Sequence, residues 1–78
     1  MIDPIESGHL LKKAIKESGF SVSEVGKQIG ISATAIYNWL RGESIPSIDN
    51  LFILAELLHK RPDELISYTP ILVNKKAA

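Results

Sequence analysis

The stretch GISATAIYNWLRGESIPS, Gly30 to Ser47, decides the fold of this 78-residue chain. Ser32 stands where a helix N-cap belongs. Ile36, Trp39 and Leu40 follow at spacings of three and four, and Gly42 stops the run. Pro46-Ser47 then precedes a new apolar segment. The pattern predicts a short helix from Ser32 to about Arg41 that buries Ile36 and Trp39. Its opening residues, Ala33, Thr34 and Ala35, include no arginine or glutamine. Whether it faces outward or only packs depends on what precedes it.

Upstream, Ser21-Val22-Ser23-Glu24 has the capping-box spacing, in which a serine hydroxyl and a glutamate carboxylate satisfy each other's backbone amides. It opens a second helix that ends at Ile29, before Gly30. For the third helix to leave Gly30 and cross the second steeply, the turn must be about three or four residues long. Gly30 suits the left-handed backbone such a turn requires. Gly26, one turn earlier, has no side chain to obstruct a close approach. Val25, Ile29, Ile31, Ile36 and Trp39 fill the wedge between the two helices.

The flanks also read as helix. Ser7 is placed to cap a first helix ending near Ser18, with Leu10, Leu11, Ala14 and Ile15 as its apolar stripe and Gly19 as its stop. Ser47 caps a fourth, carrying Ile48, Leu51, Phe52, Leu54, Ala55 and Leu58. Arg61-Pro62 begins a short fifth, since proline suits the first helical position, with Leu65 and Ile66 inward. SYTPILVNKKAA, residues 67–78, reads as an arm or frayed tail. Connections of about two to six residues join these helices into a bundle of local contacts.

Composition narrows the chemistry. The chain has no cysteine, so disulfides, thiolate metal sites and thiol catalysis are excluded. Its length suits one domain. The charged N-terminus is not a signal peptide, and no apolar run approaches the ~20 residues of a membrane helix; a soluble, cytoplasmic protein is expected. His9 and His59 are isolated and lack the further ligands of a zinc site. GKQIG, Gly26 to Gly30, lacks the Lys-Ser/Thr ending of a phosphate loop. No serine has a histidine and carboxylate frame, so no enzyme, cofactor or small-molecule ligand is expected. Nine Lys plus Arg balance nine Asp plus Glu, a formal net charge of zero, where nucleic-acid binders usually carry a basic excess.

From about Ser7 to Ile66 the chain resembles the phage repressor and Cro-like helix-turn-helix family, also called the Xre family. The residues that carry this are Gly26, Gly30, Ile36, Trp39 followed by Arg41-Gly42, Pro46-Ser47, the LAELL run Leu54–Leu58, and DELI ending at Ile66. The resemblance implies an all-α, compact five-helix, lambda-repressor-like DNA-binding domain over residues 1–66, followed by a short C-terminal arm. It also implies double-stranded DNA as partner, bound by a homodimer with the third helix in the major groove. Carried over position by position, Ala33, Thr34 and Asn38 would face bases, with Tyr37 beside Asn38 on the outer face. Phosphate contacts would come from Ser21, Val22 and Ser23, from Arg41, and from the helix start at Ser47 and Ile48; Ser32 and Lys27 are further DNA-binding candidates. Thr34 could set its methyl against thymine, and Asn38 could bond adenine through two hydrogen bonds.

The sequence departs from the family in three places. Val22 stands where many members open the second helix with a phosphate-touching glutamine. The loop Glu43-Ser44-Ile45 is acidic and apolar. An arginine–glutamate pair that joins the first and third helices elsewhere is replaced by Ile15 and Leu40, expected to pack together. The functional reading is a regulator, a repressor that occupies a palindromic operator. The alternative is a helix-turn-helix module that binds a toxin, a polymerase or another regulator. Tyr68, Ile71, Leu72 and Val73 could pack back on the domain, fray or pair with a second subunit; because family members dimerise through this end, the resemblance implies a homodimer contact there, with His59 and Arg61 at its border.

Overall fold

The computed structural model describes residues 1–70. Four α-helices, α1 (Pro4–Ser18), α2 (Val22–Ile29), α3 (Ala33–Arg41) and α4 (Ile48–Leu58), surround one core. A 3₁₀ turn (Pro62–Leu65) follows α4, and two short strands, β1 (Ile2–Asp3) and β2 (Ser67–Tyr68), close the ends of the domain.

The caps explain where the helices begin. In α2 the Ser21 hydroxyl accepts from the Glu24 amide at 3.1 Å, and the Glu24 carboxylate accepts from the Ser21 amide at 2.9 Å. Ser32 and Ser47 cap α3 and α4 by accepting from Ala35 and Asn50, each at 3.2 Å. Such caps each stabilise a helix by about 1 kcal/mol. Gly30, at φ 74°, ends α2 and turns the chain toward α3.

The first helix begins earlier than the sequence suggests. Asp3, not Ser7, is its N-cap, accepting from the Glu6 amide at 3.1 Å, and Pro4 occupies the first turn, where its missing N–H is no loss. Ser7 lies one turn inside the helix and is buried. Its hydroxyl accepts from the Ser67 amide at 2.9 Å, tying α1 to the strand that follows the 3₁₀ turn. There β2 pairs antiparallel with β1, Ile2 opposite Tyr68 and Asp3 opposite Ser67, and Thr69 donates its amide to the Met1 carbonyl at 2.7 Å.

The expected fifth helix is therefore corrected to a single 3₁₀ turn. Ile66 is already extended, at φ −128° and ψ 134°. The Ser67 amide goes to Ser7 rather than back along a helix. Residues 71–78, including the expected tail contact through Ile71, Leu72 and Val73, lie outside the described residues.

The core holds Leu11, Ala14 and Ile15 of α1, Val25 of α2, Ile36 and Trp39 of α3, Leu51, Leu54, Ala55 and Leu58 of α4, and Leu65. Ile36, Leu54 and Val25 are the largest side chains wholly removed from water. Burying a side chain of this size contributes about 1.5–3 kcal/mol. Ile15 lies inside this cluster and Leu40 packs half-buried against it, so the positions where the family places a charged pair belong to one apolar core.

Two glycines bring α1 against α3. A Cβ on Gly8 would stand 2.5 Å from the Leu40 carbonyl oxygen, and one on Gly42 would stand 2.8 Å from the Ile5 Cα. The recognition-like helix is thus held from behind by α1 and packed along its side by α2.

Candidate nucleic-acid interface

Burial sorts α3 into two faces. Ile36 and Trp39 point into the core, 0% and 7% exposed. That orientation leaves Ala33, Thr34 and Tyr37 exposed, with Asn38 half-buried beside them. Ser32 is exposed at the helix start. The outward face of α3 is therefore small at its N-terminal end, polar at Thr34 and Asn38, and aromatic at Tyr37.

Three helix N-termini of the domain are each led by a serine: Ser21, Ser32 and Ser47, all exposed. Each cap oxygen is already an acceptor for its own helix. At Ser32 and Ser47 a hydroxyl in that state keeps one O–H donor, whereas that of Ser21 is turned to Glu24; the first-turn amides that no cap takes have no acceptor within the helix. Such ends hold a phosphate oxygen without a positively charged side chain. Ser23 is exposed in the first turn of α2, and Lys27 is exposed one turn on. Val22 is half-buried and packs against the core. Its side chain serves the fold, which leaves its backbone amide as the polar group at that position.

The charged end of α3 is the part that sequence reading missed. Arg41 Nη2 donates to Asn38 Oδ1 and to Glu43 Oε2, the latter at 3.1 Å. Arginine has no acceptor, so the amide atom of Asn38 facing it must be oxygen, and the amide NH2 is turned elsewhere. The structure thus joins Asn38 and Arg41, assigned separately to base and phosphate, into one hydrogen-bonded unit. Glu43 neutralises its charge. A pairing two residues apart across a glycine-ended helix matches no standard helical spacing, so sequence alone carried no signal for it.

Glu24, in the first turn of α2, has its pKa lowered. Hydrogen bonds from the Ser21 backbone amide and the Ser21 hydroxyl hold it below the ordinary carboxylate range, and the charge of Lys27 adds to this. The cause is the capping box, a feature of the fold.

Comparison with known proteins agrees with this geometry. Residues 11–65 match the family model described as Helix-turn-helix. No curated protein matches the sequence. Among solved structures, the chain is similar to the restriction-modification controller protein C.AhdI from Aeromonas hydrophila, with a TM-score of 0.75 and 25% identity, covering 81% of this chain and 91% of that one. With most of its length inside the family model, and with the small residue, the turn glycine and the outward third helix in place, the chain belongs to the phage repressor and Cro-like branch of the helix-turn-helix family.

Proposed function

We propose that this chain is a sequence-specific, double-stranded-DNA-binding transcriptional regulator that works in the cytoplasm, a repressor that occupies a roughly palindromic operator as a homodimer. The observation that carries the reading is the orientation of α3. Its inward side is fixed by Ile36 and Trp39, which leaves Thr34 and Tyr37 exposed and Asn38 half-buried on the other side. A helix presented in this way enters the major groove by its N-terminal end.

Within this reading Ala33 and Thr34 meet thymine methyls, and Asn38 meets a purine edge. Tyr37 stands beside them. Ser21, Ser23, Lys27, Arg41, Ser47 and the amide of Val22 border the phosphates. The apolar side chains Ile48, Phe52 and Ile53 on α4, 74%, 57% and 45% exposed, support a second copy as partner, because apolar clusters of this kind mark association surfaces. The likeness to a restriction-modification controller supports a regulatory role.

Zero net charge and the neutralised Arg41 favour the second reading, a module whose partner is a protein. Selection from random duplexes at moderate salt separates the two. An enriched palindrome supports DNA reading, and a pool that stays unenriched after repeated rounds supports the protein partner.

A further inference from the structure

The Arg41 guanidinium, the largest fixed positive group at the end of α3, is not free. One of its nitrogens is shared between the Asn38 side-chain oxygen Oδ1 and the Glu43 carboxylate. We propose that Glu43 is an intramolecular counter-ion for Arg41, one that a DNA phosphate must displace, so that this pair sets the strength and salt dependence of binding. The inference rests on the DNA-binding reading above and deepens it.

When a free arginine meets DNA, the phosphate sheds most of one condensed cation, which gives a salt slope of about −0.9 per contact. Here Arg41 is already paired with Glu43, so the two side chains together bring almost no net charge to a phosphate. Fewer condensed cations are displaced than a free arginine would displace. The contact therefore adds little salt dependence and little net affinity, although a full positive charge faces the backbone.

The geometry leaves room for this exchange. Only Nη2 is engaged by Asn38 and Glu43, so Nε and Nη1 each keep N–H donors for a first contact, while a two-pronged phosphate contact needs Nη2 and so displaces Glu43. Both ends of the pair are well exposed, 56% and 59%, so water and an incoming anion reach them. An exposed pair of this kind is weak, and a phosphate in the right place displaces the carboxylate. The Asn38 bond need not break. With Glu43 displaced, Arg41 would hold phosphate on one edge and the Asn38 amide on the other, coupling backbone anchoring to base reading.

Glu43 also repels DNA simply as an anion, and the test must separate that from an effect exerted through Arg41. The design is a double-mutant cycle on the whole chain: wild type, Glu43→Gln, Arg41→Ala and the double variant. Each is titrated against one labelled mixed-sequence duplex across a range of salt concentrations by fluorescence anisotropy. Acting through Arg41, Glu43→Gln tightens binding about two- to five-fold at low salt and steepens the slope by up to about 0.9. In the Arg41→Ala background the same change leaves only the smaller effect of simple repulsion. Equal tightening in both backgrounds, or none in the wild-type background, overturns the inference. If the duplex binds none of the four proteins at low salt, the DNA-binding reading itself fails, a result distinct from the other two.

Discussion

Gly26 and Ile31 lock the turn between α2 and α3 from both directions. The Gly26 carbonyl accepts the Ile31 amide at 3.0 Å, and a Cβ on Gly26 would stand 2.5 Å from the Ile31 carbonyl oxygen. The neighbour is backbone, so no side-chain rotation relieves the overlap. Gly26→Ala gains roughly 1 kcal/mol of helix propensity, but overpacking of this kind costs about 1–3 kcal/mol. A net loss is expected, read as a lower urea midpoint by circular dichroism.

The capping box makes stability depend on acid. The folded-state pKa of Glu24 is lowered by its bonds from Ser21. A depressed carboxylate contributes stability that is present above its unfolded value and is lost as pH falls through its folded value. The melting-temperature difference between wild type and Glu24→Ala should hold steady above about pH 5 and shrink toward about pH 3. A difference that does not change across that window would remove Glu24 from the acid response.

His59 ends α4 in the left-handed conformation, at φ 56°, the only non-glycine residue with positive φ among the described residues. That backbone costs an ordinary residue about 1 kcal/mol. His59→Gly should therefore stabilise the domain by up to that amount and raise its melting temperature by roughly 4–8 °C per kcal/mol, whereas His59→Ala should not.

Asn38→Ala should relax preference at a single base pair of each half-site, by about 1–3 kcal/mol of discrimination. Selected-pool sequencing of the variant checks this. Loss spread evenly over the operator would make Asn38 a backbone contact.

Much of this architecture was legible in the sequence because it depends on local rules. The serine caps at Ser21, Ser32 and Ser47, the glycine stops at Gly30 and Gly42, and the inward pair Ile36 and Trp39 each announce themselves within four residues. The misses share a different cause. Ser7 resembles a cap, and only the distant strand at Ser67 shows what its hydroxyl is for. Gly8 gives no local sign that the Leu40 carbonyl will press against it. The last helix was expected from Pro62 and Leu65, but the pairing of Ser67–Tyr68 with Ile2–Asp3 takes the chain out of helix after four residues. The interface was legible as a set of positions, and the Arg41–Glu43 contact was not, because it depends on how side chains fold back past Gly42.

The central claim, that the outward face of α3 meets duplex DNA, is tested most directly by amide shifts in a ¹⁵N-labelled protein titrated with its selected duplex. The account predicts the largest changes at Ser21–Ser23, Ser32–Thr34, Tyr37, Asn38, Arg41 and Ser47. Changes confined to α4 around Phe52 and Ile53, with α3 undisturbed, would contradict it.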